Sequence, residues 1–243
     1  MTIFRCKALP LAAAFALAAC GGDQPAAPPS PTPTPAASVT PEPSPADQLA
    51  AAVAIAFPKD KVVQSEVGER YVFDTHRLID TPFGPVLASE GRVPDAAHVT
   101  SGRIDLAYLK RQGRGFAIAR DYPAVIEVGS FGQMTRWDVR NDLADVPVIA
   151  AYGGFTGQGI TCGNTVLTEL RPSGPVEAAI VPTVYDNGGM AEGKDMQSLE
   201  GTIVNPSRKG FDVRYTGTRS VTVHYARQGD HFVRLGADPV PEC

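Results

Sequence analysis

The chain has 243 residues, with 22 basic and 26 acidic side chains and a formal net charge of −4. No basic excess exists to meet phosphates, which argues against a nucleic-acid-binding protein, and outside the N-terminal signal no apolar run reaches the roughly 18 residues of a membrane-spanning helix. A hydrophobic fraction of 43% supports a buried core, and 24 Gly with 22 Pro point to a turn-rich chain rather than a long-helix or coiled-coil one.

In chain order, the first element is an export signal. Arg5 and Lys7 open it, and an apolar stretch of Ala, Leu and Phe follows from Ala8 to Ala19. These are the charged and hydrophobic regions of a secretory signal. The next residues, Leu17-Ala18-Ala19-Cys20, are an aliphatic residue, two small residues and a cysteine. This pattern resembles the lipobox of bacterial lipoproteins. The resemblance covers only the first 20 or so residues. It implies cleavage before Cys20, removal of residues 1–19, and acylation of the Cys20 sulfur and new amino terminus. Two or three acyl chains suffice for stable membrane attachment, at about 0.8 kcal/mol per buried CH₂. Gly21 follows the cysteine instead of Asp, which by analogy favours the outer membrane, with the chain facing the periplasm.

Residues 20–45 read as the anchor and a stalk. From Gln24 to Pro45 the chain holds 9 Pro in 22 residues, with little but Ala, Ser and Thr between them. Such a segment cannot bury enough apolar surface to fold. Frequent Pro favours extended polyproline II at about 3.1 Å per residue, a reach of roughly 70 Å.

Residues 46–243 are expected to form one β-rich domain with a short helix in front. Ser44 suits an N-cap, Pro45 the first helical position and Asp47 the first turn, while Pro58 stops the helix. Leu49, Val53 and Phe57 then share one face. Candidate strands follow at 70–80, 86–91, 102–111, 114–120, 124–129, 146–152, 162–170, 176–185, 200–205, 209–216, 219–226 and 230–235. The alternation is clearest where Phe211, Val213 and Tyr215 interleave with Asp212, Arg214 and Thr216. The expected fold class is all-β, an antiparallel sandwich or barrel built from meanders. The alternative is α+β, with Met190 to Leu199 as a short helix. A weak resemblance between Gly115–Arg120 and Gly210–Tyr215 raises the question of two related β-modules.

Four cysteines are present. Cys6 leaves with the signal and Cys20 takes the lipid, which leaves Cys162 and Cys243 as a pair in an oxidising compartment. A disulfide between them closes a loop of about 80 residues, worth around 4 kcal/mol in the chain-entropy model. Two free thiols are the rival reading.

The patterns that carry chemistry are sparse. The four histidines, His76, His98, His224 and His231, lack metal-ligand spacing, and no G-x-S-x-G elbow occurs. The sequence therefore calls for no metal, no cofactor and no catalytic residue. Asp186-Asn187-Gly188-Gly189 is a turn rather than a calcium loop, because the distal acidic ligands are missing. The glycine cluster Gly153, Gly154, Phe155, Gly157 and Gly159 fails both the P-loop and the dinucleotide spacing. Its expected role is a tight loop whose backbone a ligand or partner can touch. Trp137 has two readings: a core anchor with a hydrogen-bonded indole, or an exposed contact beside Arg136.

The expected function is non-catalytic binding of an envelope protein or cell-wall component by a lipid-anchored periplasmic domain. The alternatives are an envelope-located hydrolase, or an inhibitor of a foreign enzyme such as a lysozyme. An inhibitor is expected to present a rigid protruding loop, with Gly153–Gly159 the first suspect.

Overall fold

A computed structural model describes residues 42–59 and 61–243. Cys20, the signal and most of the Pro-rich stalk lie outside the described residues.

The helix α1 (Pro45–Ala56) forms where its capping residues place it. The Ser44 hydroxyl accepts the Asp47 amide at 3.2 Å, and the Asp47 carboxylate accepts the Ser44 amide at 3.3 Å. This reciprocal capping box satisfies two donors that the first turn leaves orphaned. Proline 58 cannot continue the helix, which ends at Phe57. Buried Ala52 and Ala56, with Leu49, Val53 and Phe57 beside them, pack onto the sheet that follows.

That sheet has four antiparallel strands in sequential order: β1 (Val72–Ile79), β2 (Val86–Arg92), β3 (Gly102–Gln112) and β4 (Gly115–Val128). Its two central strands are covered on both faces. Leu87, Ala107 and Leu109 meet the helix, whereas Val86, Ala88, Ile104 and Leu106 meet the larger sheet. Burial on both sides explains why β3 is buried at every position from Gly102 to Leu109. Two of those positions are charged, and they satisfy each other: Arg103 and Asp105 form a buried ion pair at 2.7 Å.

Asp105 also explains one difference from the expected strands. The segments 114–120 and 124–129 form a single strand, β4, whose pairing with β3 shifts register near Ala124. Ala124 has φ +51°, and its amide is held by Asp105 Oδ1 at 3.0 Å. A buried carboxylate thus carries the strand through an irregularity that reads as a break.

The second sheet has eight antiparallel strands in sequential order: β5 (Arg136–Arg140), β6 (Val148–Gly157), β7 (Ile160–Arg171), β8 (Gly174–Asp186), β9 (Ser198–Ser207), β10 (Gly210–Gly217), β11 (Val221–Gln228) and β12 (His231–Leu235). The described residues therefore form an all-β sandwich of two meander sheets with one short helix. Residues 190–199 contain only a 3-10 turn, Gly193–Asp195, and then enter β9, so the α+β alternative is not realised. The resembling segments 115–120 and 210–215 fall in different sheets, in β4 and β10, each just after a tight turn.

The large sheet folds over so that β11 and β12 lie against β7 and β8. Between these layers sit Leu167, Val181, Phe211, Val213, Tyr215 and Phe232. The Phe211 and Tyr225 rings stack at 4.9 Å. At the edge, Glu169, only 3% exposed, takes ion pairs from both Arg171 and Arg227, and Arg171 also reaches Asp230 at 2.5 Å. The opposite face of β5–β7 carries Trp137, Ile149, Ala151 and Val166 onto the small sheet. Cys162 and Cys243 are joined by a disulfide, 81 residues apart in sequence with Cα atoms 6.2 Å apart. It ties the chain end to β7, beside buried Val240.

Candidate functional site

A pocket of about 530 Å³ opens at one end of the large sheet. Strand β5 supplies Arg136 and Arg140, four residues apart and on the same side of the strand. Strands β6 and β7 supply Tyr152, Gly154, Thr156, Thr161, Gly163 and Thr165, while Thr183, Glu200, Gly201 and Thr202 come from β8 and β9. Ser130 and Phe131 enter from the turn that precedes β5.

Glycines shape the floor. Gly154 pairs directly with Gly163 across β6 and β7. A Cβ on Gly154 would lie 2.2 Å from the Cys162 carbonyl oxygen, so only glycine fits that backbone. A glycine inside a strand often marks a place where a ligand or another backbone comes close. Here another backbone comes close at Gly154, while the Val184 side chain covers buried Gly163.

The walls are hydroxyl-rich. Thr156 and Thr161 share a hydrogen bond at 2.8 Å, and Ser130 donates to the Gly154 carbonyl at 2.9 Å. Arg140 donates two hydrogen bonds of 2.8 Å to the Asp142 carboxylate, which hold that carboxyl below its usual range. Arg136 differs. Its guanidinium lies 4.0 Å over the Tyr152 ring, and among the described residues it makes no ion pair. Stacking fixes the plane of the fork while its N–H donors stay free to meet a ligand.

The rim is aromatic and exposed. Phe131 is 54% exposed and Phe155 42%. The His98 ring meets both edge-on, at 5.0 Å and 6.2 Å, and its Nε2 lies 3.1 Å from the Thr156 carbonyl oxygen. Phe131 has φ +52°. Left-handed backbone is unusual for a bulky residue and tends to mark functional sites.

The expected interaction residues divide into three groups. Gly153, Gly154, Phe155 and Arg136 line the pocket. Gly157 and Gly159 do not: Gly157 ends β6, and Gly159 (φ +81°) forms the two-residue hairpin turn with Gln158 (φ +52°). The Gly159 carbonyl accepts the Gly189 amide at 3.1 Å, so the tip is braced against the β8–β9 connection. The segment 153–157 is paired strand, not the protruding loop expected of it, because β6 and β7 stay in register to their ends. Gly153 itself is glycine for a packing reason, since a Cβ there would meet the Gly129 amide at 2.5 Å.

Trp137 corrects the exposed-contact reading. It is 4% exposed, its Nε1 donates to Glu90 Oε2 at 2.9 Å, and the Arg77 guanidinium covers its ring at 4.4 Å. Strand alternation sends Trp137 toward the small sheet and its neighbour Arg136 toward the pocket. Strand β5 is absent from the expected strands; the short alternation of Arg136-Trp137-Asp138-Val139-Arg140 is the one signal in the sequence that points to it, and it also separates the two roles.

Other sequence features stand elsewhere. Asp186 accepts the Gly188 amide at 2.8 Å, which holds its carboxyl below the usual range, and Asn187 Oδ1 accepts the Gln197 amide at 2.6 Å. These contacts close the turn on itself. His224 pairs with Asp212 at 2.7 Å on an exposed face. His76 lies 2.9 Å from the Ser89 hydroxyl, and His231 lies 3.0 Å from the Glu177 carbonyl oxygen. Among the described residues no group of three or more His, Cys, Asp or Glu is arranged to hold a metal ion.

The chain matches no family model, no curated protein and no solved structure.

Proposed function

We propose that this is a lipid-anchored envelope protein whose β-domain binds an envelope protein or a cell-wall component without transforming it. In this reading Cys20 carries the lipid, the Pro-rich stalk spaces the domain from the outer membrane, and the domain faces the periplasm. The observation that carries the binding role is Arg136. A guanidinium held over Tyr152 with no acidic partner among the described residues, at the mouth of a 530 Å³ pocket with exposed Phe131 and Phe155 at its rim, suits recognition. The volume falls within the roughly 300–1,000 Å³ usual for ligand sites.

The test is crosslinking of the full lipidated chain in the cells that make it, with a chain ending after the stalk as control. The expected result is wall material or an envelope protein captured only when residues 46–243 are present, with capture lost in Arg136→Glu. Identical capture by the control would refute the binding role. The anchor is checked separately. Cys20→Ser is expected to leave the membrane fraction, and its continued sedimentation with membranes would contradict lipid attachment.

A further inference from the structure

We infer that the pocket takes a carboxylate-bearing saccharide, namely the N-acetylmuramyl unit of the cell wall. This rests on the binding reading above and narrows it to one ligand chemistry.

Three observations converge on that class. The first is charge. Arg136 presents free donors above Tyr152, and Arg140 lies two same-face steps further along β5, past Asp138, with its own carboxylate partner already in place at Asp142. One fixed, unneutralised fork is suited to a single carboxylate, which it binds through two parallel hydrogen bonds. A fully cationic cleft, as a polyphosphate requires, is not what these residues build, because Glu200 also faces the pocket.

The second observation is the hydroxyl wall. Thr156, Thr161 and Thr202 line the pocket, the first and last exposed and Thr161 partly so, while Thr165 and Thr183 lie buried beneath them, bonded to each other. Each hydroxyl is at once a donor and an acceptor. Sugar hydroxyls have the same dual character, so either group can donate and no polar atom need be buried unpaired. The third is the rim. Exposed Phe131 and Phe155 offer flat apolar faces to the C–H faces of a pyranose ring or to an N-acetyl methyl. Gly154 and Gly163, paired across β6 and β7, add no side chain to the floor beneath them.

The test uses the full lipidated chain in detergent and two disaccharides that differ mainly in the carboxylate. One is N-acetylglucosaminyl-N-acetylmuramic acid; the other, N,N′-diacetylchitobiose, has no lactyl carboxylate. Titration calorimetry is expected to show about tenfold or tighter preference for the muramyl disaccharide, the scale of one hydrogen-bonded charge contact. Arg136→Gln is expected to abolish the preference while leaving the melting temperature unchanged, since the side chain is exposed. Arg136→Lys is expected to restore charge without the bidentate fork, and so to recover only part of it. Equal affinity for the two sugars, binding of neither, or a preference that survives in Arg136→Gln would each overturn the inference. So would competition by the free stem peptide alone. Co-sedimentation with intact sacculi runs in parallel. Sacculus binding without a carboxylate preference overturns this inference alone, whereas failure to bind sacculi together with failure to capture any envelope protein removes the wider reading as well.

Discussion

The two sheets of this protein use burial in opposite ways. The four-stranded sheet is covered by the helix on one face and by the large sheet on the other, and its central strands admit charge only as the closed Arg103–Asp105 pair. The eight-stranded sheet packs its middle and one edge as tightly, around Phe211, Val213 and Tyr215, yet leaves one end open. At that end glycines replace side chains, threonines replace aliphatic residues, and an arginine has no acidic partner among the described residues. The contrast separates a scaffold from a working end. It also places the boundary inside one strand, because successive residues of β5 serve the two purposes: Trp137 the scaffold and Arg136 the pocket.

That division predicts a graded series of effects. The largest belongs to the chain-end clamp. Loss of the Cys162–Cys243 disulfide, by reduction or by Cys162→Ser, is expected to cost about 4.5 kcal/mol for a loop of 81 residues, read as a large drop in thermal midpoint. A midpoint that reduction leaves unmoved would mean the clamp is not what holds the end of the large sheet. Next is the seam between the sheets. Leu106 is fully buried there, and Leu106→Ala is expected to cost about 2–5 kcal/mol in denaturant unfolding.

A smaller effect is expected at the shared strand. Trp137→Phe keeps a ring but strands the Glu90 carboxylate, for a loss of about 2 kcal/mol, with ligand binding retained. Arg136→Ala is expected to do the reverse: stability unchanged within about 0.5 kcal/mol, binding lost. If both variants moved both readouts together, the two faces of β5 would not be independent.

The smallest effect is a pH dependence confined to the scaffold. Burial against Phe57, 5.4 Å away between ring centroids, lowers the His76 pKa below its ordinary 6.5. The unfolded chain therefore binds a proton that the folded chain refuses. Stability is fully present above about pH 6.5 and declines as pH falls through the folded-state value. His76→Gln is expected to flatten that part of the stability curve, measured by chemical unfolding between about pH 5 and 7.5. An unchanged slope would place the proton uptake elsewhere.

Much of the scaffold was legible in the sequence, and the reasons are local. Ser44, Pro45 and Asp47 specify the helix start through short-range capping. The alternation of Phe211, Val213 and Tyr215 specifies a half-buried strand, and the Cys162–Cys243 pairing follows from there being two cysteines left. The misses share a different cause. β5 is five residues long and its one large apolar side chain sits between two charges, so its period was hidden by its brevity. The continuity of β4 depends on Asp105, a residue nineteen positions away, holding the Ala124 amide. The pocket was legible only in part. Gly153, Gly154, Phe155 and Arg136 stood out by composition or by neighbourhood. Tyr152, Phe131 and the threonines gave no signal, because their meaning comes from strands β5 to β9 converging at one end, and convergence is a property of the folded sheet.

The most direct test of this division is hydrogen–deuterium exchange on the full chain, with and without solubilised cell-wall fragments. The account predicts slowed exchange confined to the pocket end, in residues 130–136, 152–165 and 200–203, with β2 and β3 unchanged. Protection that instead appears on the four-stranded sheet, or no change at the pocket under conditions where the chain binds sacculi, would contradict it.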